Sequence, residues 1–301
     1  MTPVEPPPSR TIRIRRVIYL IVIALLAGFL WQLGLAPWRH AAAQWHIMLL
    51  LAGLSAFGLA VQAMAFRMAV PETPPPRFST TLAIWSVSAA VSVVAPLVAG
   101  LAARTTLLMH HGMRLSTCAV ASLRQLWLGL EYALLLSALA LPFSGWSVEF
   151  VAAAACGGGW VAMRVVRCLA RGQSNSQVHG RLGHAIEALR APVPKAAHPW
   201  FALQLLTMSA VYLVGFNGLG AAITVPQAVA LSGLTVALSL IAFVPNGLGI
   251  TDTLWVLFAQ SAGLQLEEAV AIAIAIRLGH LLAASLLAAL LHSRIYARPS
   301  V

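Results

Sequence analysis

The chain of 301 residues is 60% hydrophobic and 9% charged, with a formal net charge of +11 and a mean hydropathy of +0.85. These proportions exclude an ordinary soluble domain and make the bilayer the solvent. The positive excess does not point to nucleic acid, because the arginines sit mainly between apolar runs, where they orient the chain and meet anionic lipid headgroups.

Residues 1–16 contain Pro6-Pro7-Pro8 and Arg10, Arg13, Arg15 and Arg16, the composition of a disordered basic cytoplasmic tail. A single transmembrane domain is expected over 17–292, with apolar segments at 17–36, 43–66, 80–103, 119–142, 147–163, 199–222, 225–263 and 266–292. Each approaches or exceeds the roughly 20 residues that cross a bilayer as a helix. The first run reads as an uncleaved anchor, since many spans follow and no convincing cleavage site is visible. A polar connection, 164–198, holds Arg164, Arg167, Arg171, Arg181, Arg190 and Lys195, and its stretch 180–190 has the pattern of a short amphipathic surface helix. Residues 293–301 form a second cytoplasmic tail.

Lys and Arg bias places both 1–16 and 164–198 in the cytoplasm. It also places 67–79 (Arg67, Arg77) and 104–118 (Arg104, Arg114) inside, so segment 80–103 must enter and leave by the same face. Span 199–222 then leaves the cytoplasm and span 266–292 returns to it. Segment 225–263 must therefore dip in from outside, and it is long enough for two half-depth helices. The expected fold is all-α and polytopic, with six full spans and two opposed re-entrant hairpins in an inverted repeat. Both termini face the cytoplasm of a bacterial-type inner membrane.

Both proposed hairpins are broken by proline and glycine, at Pro96 and Gly100 and at Pro245-Asn246-Gly247-Leu248-Gly249. Broken helices at matching positions are the strongest sequence pointer to a transport site. Irregular backbone at membrane depth must line a cavity or be buried in protein, because lipid cannot satisfy its polar groups. Alanine-rich runs ending in Arg124 and Arg277 follow the two breaks and echo each other.

The stretch Pro245-Asn246-Gly247-Leu248-Gly249-Ile250-Thr251-Asp252, followed by Gly263, Ala269 and Arg277, resembles the Pro-Gly-Gly-Leu-Gly-x-x-Glu signature of the lysylphosphatidylglycerol synthase transmembrane, or flippase-domain, family. Pro96, Gly100, Arg104 and Arg124 resemble that family's first broken segment, and the likeness covers residues 15–292. Asn246 replaces the usual glycine and Asp252 the usual glutamate; Asn tolerates left-handed backbone and Asp keeps the carboxylate. The resemblance implies an eight-segment lipid-handling membrane domain, either stand-alone or fused to a soluble aminoacyl-transferase domain. Six residues follow Ile295, so a stand-alone member without lysyl transfer is expected.

Four ionisable residues are the candidate substrate-binding set: Arg277, Asp252, Glu131 and Arg124. Arg277 and Glu131 each lie about 16 Å from the external end of their spans at 1.5 Å per residue. A charge at helix centre costs about 2.5–3.5 kcal/mol on insertion scales, so the two are expected either to pair or to meet a lipid phosphate. Asp252 can cap a half-helix, meet a cationic headgroup or take up a proton. Arg124 lies nearer the cytoplasmic end and can snorkel, while Arg104 and Arg114 read as ordinary topological charges.

His110-His111 reads as an interfacial loop, Gly157-Gly158-Gly159 as a helix-packing site, and Trp31, Trp38, Trp45, Trp146, Trp160 and Trp200 as an interfacial belt. Cys118, Cys156 and Cys168 lack metal or redox spacing and read as small apolar residues. No catalytic residue, cofactor or metal is expected. Phospholipid or another amphipathic lipid is the expected partner, with a second copy of the chain or a separate lipid-synthesising enzyme as further candidates. The leading expectation is a flippase moving an anionic or aminoacylated phospholipid between leaflets. The alternatives are a membrane enzyme or accessory subunit of lipid or polyprenyl-glycan synthesis, and a small-solute secondary transporter.

Overall fold

The computed structural model describes residues 42–70, 76–94, 97–145, 149–172, 194–241 and 250–295. The tail 1–16, the first apolar run, the stretch 180–190, Trp31, Trp38, Trp146 and the break residues Pro96, Pro245, Asn246, Gly247 and Gly249 lie outside them.

Ten α-helices occur among the described residues: α1 (Trp45–Ala69), α2 (Phe78–Val94), α3 (Leu97–His110), α4 (Leu115–Ala140), α5 (Glu149–Gly172), α6 (His198–Gly218), α7 (Val225–Ile241), α8 (Ile250–Ser261), α9 (Leu266–Leu290) and α10 (His292–Ile295). Four are long and apolar enough to cross a membrane: α1, α4 with its 3₁₀ extension, α6 with the 3₁₀ turn before it, and α9. With the shorter apolar helices α2 and α7, they make this a multi-pass membrane protein.

Each broken segment is a pair of helices, α2–α3 and α7–α8, and local chemistry ends the two pairs alike. Two residues beyond α3 lies Gly112 with φ 86°, and two beyond α8 lies Gly263 with φ 92°. That left-handed conformation carries almost no penalty for glycine. Behind each glycine an amide donates back across the turn, Met113 N to Leu108 O at 3.2 Å and Leu264 N to Ala259 O at 3.3 Å, the 6→1 bond of a Schellman motif. The next helix then starts afresh. For α9 this is reinforced by a capping box in which Gln265 and Glu268 satisfy each other's backbone amides.

Packing is reciprocal between the halves of the chain. Helix α1 packs against α6 and α9, α4 packs along α7, and α9 packs along α2. Close approach depends on glycines, among them Gly100, Gly233 and Gly279. A Cβ on Gly100 would sit 1.8 Å from Ser92 Oγ and 2.8 Å from Ser88 O, so α2 and α3 meet backbone to backbone. Ser88 Oγ fastens that seam by donating to Gly100 O at 2.8 Å. A Cβ on Gly279 would lie 2.8 Å from Leu51 Cβ, which presses α9 onto α1. The largest apolar cluster joins α1, α6, α7, α8 and α9 through Leu51, Phe216, Leu231, Phe258 and Ile272.

Two boundaries differ from expectation. Helix α3 runs to His110, so Arg104 lies inside a helix rather than in a connection, because the apolar run resumes after it at Leu107-Leu108-Met109. Helix α5 runs to Gly172, so Arg164, Arg167 and Arg171 are helical, although the connection was read as starting at 164. Their spacing keeps one polar stripe on a helix whose other faces are apolar.

Candidate functional site

A cavity of ≈ 360 Å³ lies inside the bundle, walled by all the helices from α1 to α9 except α5. Its polar lining combines serines, threonines and glutamines with two arginines, Arg104 from α3 and Arg277 from α9.

Arg277 is held as a fork. Its Nε donates to Asp252 Oδ1 at 2.6 Å and its Nη2 to Asp252 Oδ2 at 2.8 Å, with a further bond from Nη2 to Thr251 Oγ1 at 3.2 Å. Such bidentate, charge-assisted pairing fixes both the plane and the position of the guanidinium. The ring of Trp255, one turn along α8 from Thr251, lies 5.5 Å from the guanidinium carbon, and its indole N–H donates to Thr235 Oγ1 on α7 at 3.1 Å. Asp252 is the third residue of α8 rather than its N-cap. Its charge still favours the helix N-terminus, while both its oxygens accept from Arg277.

The expected pairing of Arg277 with Glu131 does not form. Glu131 forms ion pairs instead with Arg164 Nε and with Arg167 Nη2, the latter at 2.7 Å, both on α5. Its neighbour Tyr132 shares a 2.9 Å hydrogen bond with Nδ1 of His198, the first residue of α6. Glu131 thus sits level with the start of α6, away from the cavity lining. A count of about 1.5 Å per residue gives a position along a helix but not the neighbour that position faces. Arg124 and Gln125, a third of the way along α4, already meet the backbone of α1 at Ala69 and Gln62.

Arg124 is buried rather than snorkelling, at 4% exposure. Its Nη1 donates to Ala69 O at 3.3 Å, at the last residue of α1, where a cation complements the free carbonyls and the helix dipole. It does not line the cavity. Gly100 is buried in the α2–α3 seam one turn before Arg104. His110 ends α3 and His111 lies in the following turn, ring centroids 5.6 Å apart and edge-on.

Arg104 is the residue that sequence reasoning undervalued. It is 8% exposed, its guanidinium carbon lies 4.1 Å from the Trp85 ring centroid and 6.0 Å from that of Phe66, and its Nη1 donates to Gln125 Oε1 at 3.3 Å. Its Nε has no hydrogen-bond partner, and it forms no ion pair among the described residues. The available signal was the tryptophan itself. Trp85 lies within an apolar segment, whereas an interfacial belt places Trp at segment ends.

Apolar helices of membrane-spanning length around a cavity lined by two arginines define the class: a helical multi-pass membrane protein with an internal cavity. Within that class, the chain belongs to the Lysylphosphatidylglycerol synthase TM region family, matched over residues 16–288, in agreement with the motif at 245–252. No curated protein matches the chain.

Proposed function

We propose that this protein is a lipid transporter, a flippase that moves an anionic or aminoacylated phospholipid, or a related amphipathic lipid, between the leaflets of a cytoplasmic membrane. The observation that carries the reading is the ≈ 360 Å³ cavity lined by Arg104 and Arg277 within an apolar helix bundle. Guanidinium groups kept at membrane depth are costly unless they meet a partner or water. A phosphate oxygen is the partner whose geometry suits the guanidinium fork best.

The family membership supports a lipid substrate, and the helix lengths support the two opposed re-entrant hairpins. At 1.5 Å per residue, α3 and α8 are about 21 and 18 Å long, short of the roughly 30 Å hydrocarbon core. The matching Gly112 and Gly263 turns, and the exchange by which α4 packs on α7 while α9 packs on α2, support an inverted repeat. In this reading there are six full spans, α5 among them, and both termini are cytoplasmic. The headgroup occupies the cavity while the acyl chains remain in lipid. Transport rather than catalysis suits the carboxylates: Asp252 is occupied by Arg277 and Glu131 by two arginines, so neither is poised as a general base.

The test is flipping of labelled lipid in proteoliposomes. Arg277→Ala abolishes flipping while insertion and folding persist; unchanged flipping refutes the role. Topology is checked separately with single cysteines in a background from which Cys118, Cys156 and Cys168 have been removed. A cysteine at position 110 is labelled from the cytoplasm and one at position 264 from outside, and the reverse pattern rules out the hairpins.

A further inference from the structure

The cavity has a definite charge as well as a shape. Arg104 and Arg277 are its two cationic lining residues, and Asp252, bonded to Arg277, is the carboxylate that offsets one of them. Counting His280 as neutral, two guanidiniums against one carboxylate leave one net positive charge at the cavity among the described residues. The breaks at 95–96 and 242–249 contain no ionisable side chain and do not change that count.

The excess charge belongs to Arg104. Arg277 commits Nε and Nη2 to Asp252 and Thr251, whereas Arg104 is surrounded by neutral groups, the Trp85 and Phe66 rings and the Gln125 amide. Its Nε, buried and without a partner among the described residues, is a donor prepared for a further acceptor. Gln204 Oε1, also buried and unpartnered, lines the same space and can accept from a hydroxyl.

Resting on the lipid-transport reading, we propose that the cavity selects a singly anionic phosphodiester headgroup whose uncharged substituent carries hydroxyl groups, with Arg104 as the principal phosphate contact. One phosphodiester charge neutralises the cavity. A zwitterionic headgroup leaves the excess in place and brings an ammonium to a site whose carboxylate is already committed. A multiply anionic headgroup overshoots, and each unbalanced charge held away from water is penalised. The same chemistry describes a soluble glycerol phosphodiester, so the source of the phosphate is tested directly.

The measurement is lipid retention by native mass spectrometry, using the full chain taken from vesicles with equal parts phosphatidylglycerol, phosphatidylethanolamine and phosphatidylinositol 4-phosphate at neutral pH. The wild-type protein is expected to retain phosphatidylglycerol about tenfold or more over each of the others, since each of them leaves charge unbalanced in the cavity. Arg104→Gln removes the excess charge and moves retention toward phosphatidylethanolamine. Asp252→Asn doubles it and moves retention toward phosphatidylinositol 4-phosphate.

Equal retention of the three lipids by the wild-type protein overturns charge selection even where a variant fails to fold. Flipping of none of them in proteoliposomes of the same composition overturns the transport reading instead. Glycerophosphoglycerol, which has the headgroup without acyl chains, leaves the bound lipid in place at equal concentration; displacement overturns the lipid as the source of the phosphate.

Discussion

Two ion-pair centres lie within the bundle, and they solve the same problem differently. At the cavity, one carboxylate meets one arginine, and the Arg277 and Asp252 side chains retain 16% and 23% exposure. Between α4 and α5, one carboxylate meets two arginines, and Glu131 and Arg167 keep only 3% and 7%. In the first pair, Arg277 lines the cavity and is reachable from it. In the second, the Glu131–Arg167 pair is closed, and removing either member leaves the other's charge buried and uncompensated. Burial of a charge in a membrane protein therefore does not by itself mark a substrate site. Access from the cavity separates the two centres.

The substitutions that bear on this contrast can be ordered by size. Arg277→Ala is expected to have the largest effect, lowering the flipping rate by about 100-fold or more, as loss of a buried charged contact does, with little change in thermal midpoint. A matching loss of stability would show that the cavity pair is as structural as the other. Glu131→Gln is expected to cost about 3 kcal/mol of stability, mostly through Arg167, because Arg164 is 46% exposed and its share is screened by solvent. Thermal unfolding in nanodiscs reads this as a lowered midpoint, while the order of retained lipids stays the same; a changed order would make Glu131 part of the substrate site. Tyr132→Phe is the smallest change. It removes the bond to His198 and costs about 1 kcal/mol, and a loss as large as that of Glu131→Gln would mean that the whole cluster acts as one cooperative network.

The sequence made the helices and their breaks legible because both are local. Apolar run length predicts a span, and Pro and Gly predict an interruption, so 80–103 and 225–263 resolve into α2–α3 and α7–α8, with α3 running on to His110. It also identified Arg277 and Asp252 as residues too costly to be incidental. What it missed was pairing, which depends on how helices cross. Asp252 and Arg277 lie on either side of the Gly263 turn, which brings α8 back along α9, and no rule of spacing reveals the rotation that turns their side chains together. A count along α4 gave the position of Glu131 in its helix but not that Arg164 and Arg167 of α5 would face it. Arg104 was undervalued because a polar residue near the end of an apolar window looks like the end of the helix.

The contact of Gly279 with Leu51 has a mechanical corollary. With no side chain between them, α9 and α1 form a stiff plate, and Arg277, half a turn earlier on α9, is mounted on it. Asp252 is mounted on α8, a short arm joined to that plate through the Gly263 turn. The forked bond between them thus ties arm to frame beside the cavity.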